Sequence, residues 1–253
     1  TMDLTPINPG IYGDGYNFTN NGAEPKTAVY MRSAEFISGL NTVEAVFCAD
    51  FAGSIALNNG YPIFTWQAEY ALGLLIWQDF AAGEAPALVD DTYLIEDAAD
   101  LAWVAAEVNY NSNTFEGYSI KINANIDLSA HQWVPIGSAE NPFSGSFDGN
   151  NKTISNLKIG NQDMPNDRLI KGGLFGYMEL APDSFVKDVL LDNIAYYITL
   201  PGNDSGTVGG LAGEITDGTV TGCRVSGVIV ADVINFNSFS YAAGLVGYMA
   251  GGS

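Results

Sequence analysis

The chain has 253 residues, of which 29 are Asp or Glu and nine are Lys or Arg, so its formal net charge is −20. A field of that sign repels phosphate backbones and anionic membranes, which argues against nucleic acid as a partner. The acidic residues are spread along a chain that is 47% hydrophobic, a composition typical of a folded domain. No long apolar run of the kind that spans a bilayer is present, so the sequence predicts no membrane insertion.

The first quarter of the chain predicts a small mixed segment. Residues 1–30 are rich in Gly, Asn and Pro, which indicates loops. Ser33 is a suitable N-cap for a short helix that runs through about Leu40, and a strand-like run follows at 63–66. We therefore expect a small α+β segment over residues 1–67 and a connector over 68–91.

One amphipathic helix is predicted at residues 97–109. Asp97 is the expected N-cap, and Asp100 stands where it would face the first free amides. An apolar stripe at helical spacing is formed by Ala98, Leu101, Ala102, Ala105 and Val108. Because this helix precedes the first run with a period of two, at 119–128, we expect it to cap one end of the domain.

Three short glycine-rich passages in the last third of the chain repeat nearly the same sequence. They centre on Leu174, Leu211 and Leu245, which lie 37 and then 34 residues apart. A short element that recurs at such a period is typical of a solenoid, in which each copy stacks on the last. Strand-like runs follow the passages, so we expect parallel strands wound into a coil. A β-sandwich is the alternative, but it gives no reason for three near-identical passages.

These passages resemble the GLUG motif of bacterial secreted and surface proteins. The matching residues, in chain order, are 100–105, 125–129, 133–137, 143–150, 153–157, 173–176, 210–213 and 244–247. The resemblance covers about residues 92–253 and implies a right-handed parallel β-helix module of a long extracellular protein, here truncated at its C-terminal end. The second passage departs from the pattern, since Glu214 stands where an aromatic residue is expected. Residues 1–67 are similar to the closing segment of such a module, which implies that they end a preceding one.

Four carboxylates and one arginine are the residues from which a polysaccharide-degrading site would be built. They are Asp188, Asp192, Asp217, Asp232 and Arg224. Such a site needs two carboxylates across a sugar bond, or an acid cluster that binds calcium beside a basic residue. We expect instead that these side chains are ordinary solvent-facing residues, so the sequence predicts no catalytic residue.

Metal and cofactor sites are not predicted either. His131 is the single histidine, which excludes the paired histidines of an H-E-x-x-H zinc site. Cys48 and Cys223 are expected to be small buried hydrophobic residues rather than the two halves of a disulfide. The acidic turn at 148–151 lacks the spaced oxygen ligands of a calcium loop, so a type I′-like turn between strands is favoured there.

Aromatic side chains are the remaining indication of binding. Tyr110, Tyr118, Tyr196 and Tyr197 could stack on sugars or anchor a protein partner, although tyrosine in such a fold more often fills the core. We therefore predict a non-catalytic module of a secreted or surface-displayed bacterial protein. It would serve adhesion, display or scaffolding by binding a protein or glycan on a host or neighbouring cell. The binding surface is expected to be a flat face of the solenoid or a protruding loop such as 160–171 or 199–208. The alternatives are a polysaccharide lyase or hydrolase, and a unit that self-associates head to tail by covering an open last rung with residues 1–67.

Overall fold

The computed structural model describes residues 47–48, 63–64, 75–201, 205–234 and 240–251. The chain divides into two compact units, Thr1–Leu74 and Leu75–Ser253. In the first unit, strand β1 (Phe47–Cys48) pairs antiparallel with strand β2 (Ile63–Phe64). The helix predicted from Ser33 lies outside the described residues.

The described part of the second unit consists mainly of strands. Its helices are one 3₁₀ helix (Trp77–Phe80) and one α-helix, α1 (Ala98–Asn111). Its first strands are β3 (Ala87–Val89), β4 (Thr92–Ile95), β5 (Ser119–Ile122), β6 (Ile126–Asp127), β7 (Ser146–Asp148), β8 (Thr153–Ser155), β9 (Lys158–Ile159), β10 (Lys171–Gly172) and β11 (Phe175–Glu179). They are followed by β12 (Phe185–Lys187), β13 (Leu190–Pro201), β14 (Thr207–Gly209), β15 (Ala212–Thr216), β16 (Thr219–Thr221), β17 (Arg224–Ile234), β18 (Tyr241–Ala243) and β19 (Val246–Ala250). No helix in this described part is long and apolar enough to cross a membrane.

These strands form four small sheets. Two are three-stranded and parallel, with the orders β10–β14–β18 and β11–β15–β19. The third has the parallel order β17–β13–β8–β6, with β9 also paired to β13. The fourth has the order β16–β12–β7–β5–β4–β3 and is mixed, because β3 runs antiparallel to β4. Strands that are distant in sequence are therefore neighbours in every sheet.

The three glycine passages lie side by side. We define residues 171–179, 207–216 and 241–250 as the first, second and third repeats. The N–H of Phe175 donates to the carbonyl oxygen of Leu211 at 2.9 Å, and the N–H of Leu211 donates to that of Leu245 at 2.8 Å. The second repeat therefore lies between the first and the third.

The helix and the strands share one apolar core. Helix α1 buries Leu101, Ala102, Val104, Ala105 and Val108. Aromatic rings continue the core, and the centroids of Phe143 and Phe175 are 5.2 Å apart. Asp97 begins the helix as predicted, because its side chain accepts hydrogen bonds from the N–H groups of Ala99 and Asp100 at 2.9 and 3.0 Å.

The predicted right-handed parallel β-helix with an N-terminal capping helix is wrong. The strands are divided among several small parallel or mixed sheets, and no solenoid is identified in the described part of the chain. Helix α1 does not act as a cap, since it connects the adjacent parallel strands β4 and β5. Strand β3 turns back antiparallel because Asp90 and Asp91 have positive φ angles of 48° and 58°, which close a two-residue hairpin.

Candidate functional site

A groove beside the C-terminal end of α1 combines an exposed aromatic side chain with charged groups. It is lined by residues of three segments, 109–110, 134–140 and 168–171, and we call it the Tyr110 groove. Its volume is about 320 Å³, which is at the lower end of the range for small-molecule sites. The groove is therefore large enough for a small ligand or for one part of a larger one.

The end of α1 holds the aromatic side chain in place. The Asn109 side chain donates to the carbonyl oxygen of Pro135 at 3.0 Å and accepts from the N–H of Gly137 at 2.8 Å, which joins the helix to the facing segment. Tyr110 is 60% exposed. Partial burial raises the pKa of its phenol, and the nearby Asp79 carboxylate raises this pKa further. The hydroxyl of Tyr110 therefore stays protonated at neutral pH and can donate a hydrogen bond to a ligand.

The segment 134–140 is held against the first repeat. Trp133, just before it, is 1% exposed, and its indole N–H donates to the carbonyl oxygen of Leu174 at 3.0 Å. Gly137 has a φ of 85°, and a Cβ atom there would lie 2.3 Å from the carbonyl oxygen of Tyr177. A side chain at Gly137 would push the two segments apart. This wall of the groove is thus fixed before any ligand binds.

Charged side chains of both signs line the groove. Arg168 and Lys171 are two of the nine basic residues in the whole chain, and Glu140 is on the wall formed by 134–140. The ammonium group of Lys171 forms an ion pair with Glu214 and lies 5.3 Å from the ring centroid of Tyr177. The positive charge of Lys171 is therefore already matched within the fold. Arg168 and Glu140 remain as the charged groups available to a ligand.

The other tyrosines that the sequence indicated have different surroundings. Tyr196 is fully buried, and its hydroxyl donates to the carbonyl oxygen of Gly210 at 2.9 Å, so it is a core residue. Tyr118 is 39% exposed and packs against Tyr93, with ring centroids 5.7 Å apart. Tyr197 lines a second cavity of about 320 Å³. Tyr110 is the most exposed of the four predicted binding tyrosines whose surroundings the structure gives.

The carboxylates considered for catalysis have different surroundings. Asp192 accepts a hydrogen bond from the Ser226 hydroxyl at 2.5 Å, which links two neighbouring strands. Asp188 and Asp217 occupy turns with positive φ angles of 53° and 59°. Asp232 lines the second cavity. Within the described residues, no three His, Cys, Asp or Glu side chains lie close enough together to hold a metal ion.

Two further residues that the sequence singled out have structural surroundings. The ring of His131 stacks on Phe80, with centroids 3.9 Å apart, and packs edge-on against Trp77 at 4.9 Å. Burial lowers the pKa of this imidazole, and the Lys158 ammonium lowers it further, against an opposite effect of Asp79. Cys223 is half-buried, and burial raises the pKa of its thiol, which disfavours the reactive thiolate.

The turn at 148–151 has the predicted conformation. Asn150 and Asn151 have φ angles of 51° and 54°, and the N–H of Lys152 donates to the carbonyl oxygen of Gly149 at 2.8 Å. Both central residues thus have the positive φ angles that a type I′ turn requires. The Asp148 carboxylate accepts the N–H of Asn150 at 2.8 Å and so acts within the turn.

Comparison with known proteins gives one informative similarity. The chain is 34% identical over 164 residues to Halomucin from Haloquadratum walsbyi, an alignment that spans 58% of this chain and 2% of Halomucin. No family model matches the chain, so the resemblance to GLUG-motif proteins stays a prediction. No solved structure matches it either.

The similarity to Halomucin bears on location only. It indicates an extracellular location for this chain. It does not support the predicted bacterial origin, because Haloquadratum walsbyi is archaeal.

Proposed function

We propose that this chain is a non-catalytic module of an extracellular surface protein, which binds a glycan or a protein through the Tyr110 groove. The observation that carries the proposal is that Tyr110, which is 60% exposed, lines a preformed groove of about 320 Å³. Aromatic side chains that stay exposed beside such a groove are typical anchors for partners. Adhesion, display or scaffolding are the roles that a binding module of this kind would serve, on a host or neighbouring cell.

The rigidity of the groove supports the same proposal. The Asn109 side chain bonds to the backbone at Pro135 and Gly137, and the Trp133 indole bonds to the first repeat. A preformed site loses little conformational entropy when the ligand binds. The acidic side chains elsewhere, such as Asp148 and Asp192, are engaged in hydrogen bonds within the fold. A rigid groove and carboxylates that are already hydrogen-bonded therefore favour a role in binding over a role in catalysis.

The test is binding of the whole chain to arrays of immobilised glycans and extracellular proteins. We expect Tyr110→Ala to lower the bound signal at least about fivefold, since it removes the aromatic contact. The matched control is Tyr248→Ala, because Tyr248 is 44% exposed on β19 and is not part of the groove. Equal loss in both variants, or no loss in either, would contradict the proposal.

Polysaccharide degradation stays an alternative prediction that needs its own assay. The chain would be incubated with a panel of acidic and neutral polysaccharides, and new reducing ends or unsaturated ends would be measured. If the chain releases such ends, and Asp192→Asn or Asp232→Asn abolishes the release, the chain is an enzyme and the binding proposal is wrong. We expect no release above the level of the buffer.

A second candidate function is head-to-tail self-association through the strands that follow the second repeat. The observation that favours it is the exposure of apolar side chains there, 50% for Val228 and 36% for Leu245. Leu88, on the edge strand β3 of the mixed sheet, is also 48% exposed. Exposed edges of this kind add strands from other chains unless they are blocked. A mass that stays monomeric over a wide concentration range would rule this out, and Val228→Lys should abolish any self-association that is seen.

A further inference from the structure

We infer that the ligand of the Tyr110 groove is an uncharged sugar, with one pyranose ring stacked on Tyr110 and its hydroxyl groups bound by Arg168 and Glu140. This inference rests on the proposed function and narrows it to one class of ligand. A pyranose ring has an apolar C–H face and a rim of hydroxyl groups that both donate and accept hydrogen bonds. The groove offers a matching surface for each of these parts.

The apolar part of the groove fits the face of a sugar ring. Tyr110 is the exposed aromatic surface, and Ile170 is 40% exposed on the segment 168–171. Val134, Pro135 and Leu169 are the other apolar residues in the lining. Burying this surface under a ring of C–H groups removes it from water, which is favourable.

The polar part of the groove fits the hydroxyl rim. Glu140 supplies acceptor oxygens, and the Arg168 guanidinium supplies several donors in a planar fork. The Ser138 hydroxyl accepts the N–H of Asn141 at 3.2 Å, which leaves its proton free to be donated. The hydroxyl of Tyr110 adds a further donor. Donors and acceptors are thus both present, as a polyol requires.

The charges of the groove favour an uncharged ligand. Arg168 and Glu140 carry opposite charges, and Lys171 is paired with Glu214, so the charges of the lining balance. The Asp79 carboxylate near Tyr110 adds a negative charge, which disfavours an anionic ligand. The chain as a whole carries −20, which repels an anionic polysaccharide at low ionic strength. A uronate or sulfate group would meet Arg168 but also the Glu140 carboxylate. A neutral sugar is repelled neither by the net charge of the chain nor by the Glu140 carboxylate.

The experiment is isothermal titration calorimetry of the whole chain with neutral and acidic tetrasaccharides of equal length. The neutral probes are cellotetraose, maltotetraose and mannotetraose, and the acidic probe is tetragalacturonate. We expect at least one neutral probe to bind and tetragalacturonate to bind at least about tenfold more weakly in low salt. Neutral binding should change less than about twofold between 50 and 500 mM NaCl, because no net charge is paired.

Four variants assign the contacts. Tyr110→Ala should lower the affinity for the neutral sugar at least about fivefold, and Tyr110→Phe should retain most of it, since the ring is kept. Arg168→Gln and Glu140→Gln should each lower it at least about threefold, because each removes a charged hydrogen-bonding group. Tyr248→Ala, which is outside the groove, is the control and should leave the affinity for the neutral sugar unchanged.

The outcomes separate this inference from the proposed function. Binding of tetragalacturonate in preference to every neutral probe would overturn the inference, and so would neutral binding that survives Tyr110→Ala. Tyr110-dependent binding to proteins on the array without binding to any sugar would overturn the inference and leave the proposed function in place. Loss of both, with no Tyr110-dependent binding to any glycan or protein, would overturn the two together.

Discussion

The second and third repeats share the Gly-Leu pattern but differ in how much of it is buried. Leu211 of the second repeat is fully buried, whereas Leu245 of the third is 36% exposed. A Cβ atom at Gly210 would lie 2.5 Å from a methyl carbon of Val225, whereas one at Gly244 would meet no atom within 4 Å. The same residues therefore have different surroundings in neighbouring repeats. Burial is supplied by the repeats on either side and is not a property of the motif itself.

The strand pairing explains this difference. The second repeat is bonded on one side to the first, through Phe175, and on the other to the third, through Leu245. In the described residues, the third repeat is paired on one side only. A side chain on the outer side of the third repeat thus stays in contact with solvent. Substitutions at equivalent positions should accordingly have unequal effects.

The largest contrast is expected for the two leucines. Leu211→Ala should lower the free energy of unfolding by about 2–5 kcal/mol, because it leaves a cavity in a packed core. Leu245→Ala should lower it by about 1–2 kcal/mol, since 36% of this residue is already exposed and less buried apolar surface is lost. Urea unfolding followed by circular dichroism measures both. Equal losses would mean that a further layer covers the third repeat in solution.

A second contrast is expected for the glycines before these leucines. Gly210→Ala should cost about 1–3 kcal/mol, because the new methyl group would overlap Val225 and the carbonyl oxygen of Gly244. Gly244→Ala should be neutral, or stabilising by up to about 1 kcal/mol, because it restricts the unfolded chain without a clash. Thermal unfolding of the two variants beside the parent chain gives the comparison. A loss at Gly244 as large as that at Gly210 would contradict it.

The third contrast concerns a row of asparagines that crosses the strands. The Asn193 side chain donates to Asn156 at 2.7 Å, and the Asn156 side chain donates to Asp127 at 2.9 Å. Asn193 also has a φ of 54°. Asn193→Ala should cost about 1–2 kcal/mol through the left-handed backbone, and Asn193→Gly should cost less, since glycine adopts this φ freely.

The control for this row is Ser226, which lies on the neighbouring strand and donates to Asp192. Ser226→Ala leaves the backbone unstrained, so its cost should stay below that of Asn193→Ala. Chemical unfolding of the three variants orders them. Asn193→Gly as damaging as Asn193→Ala would show that the hydrogen bond, and not the backbone angle, decides the stability.

The smallest effect is expected at His131, which Trp77 and Phe80 of segment 76–80 cover. Burial holds the pKa of this imidazole below its ordinary value of 6.5. The folded chain then binds fewer protons than the unfolded chain, so this contribution to stability is complete above pH 6.5 and declines as the pH falls below it. Because the chain has one histidine, proton NMR follows a single imidazole directly. A measured pKa at or above 6.5 would show that the ring is not covered.

The local features of the fold could be predicted from the sequence with good accuracy. The helix begins at the predicted cap, Asp97, because a side-chain oxygen next to free amides is a local requirement. The alternation at 119–128 appears as β5 and β6, and the turn at 150–151 has the expected positive φ angles. Each of these depends on residues that are close together in the chain.

The arrangement of the sheets could not be predicted in the same way. Periodicity of the glycine passages indicates that the repeats are neighbours, but it does not determine how the strands are divided among sheets. The hairpin at Asp90 and Asp91 adds an antiparallel strand from the region interpreted as a connector. The position of α1 before the run at 119–128 predicts a cap, but the strands β3 and β4 precede the helix and belong to the same sheet as β5.

Most of the groove was also beyond sequence reasoning, although Tyr110 and the loop 160–171, which contains the segment 168–171, were both predicted as possible binding elements. Its three segments are separated by more than 20 residues from one another in the chain, and only the fold brings them together. Glu140 and Arg168 have no motif that marks them. One signal was present: Arg168 and Lys171 lie close together in a chain with only nine basic residues. In so acidic a protein, two neighbouring basic residues indicate a possible binding surface.

The buried indole of Trp133 determines what fluorescence can report about this protein. The four tryptophans are Trp66, Trp77, Trp103 and Trp133, so all of them precede the first repeat. Tryptophan emission therefore follows the helix, the segment 134–140 and the contact with Leu174, but it does not detect the third repeat. That repeat instead contains Tyr241 and Tyr248, with ring centroids 5.9 Å apart. Separate unfolding of the third repeat would change the tyrosine signal while the tryptophan emission stayed native.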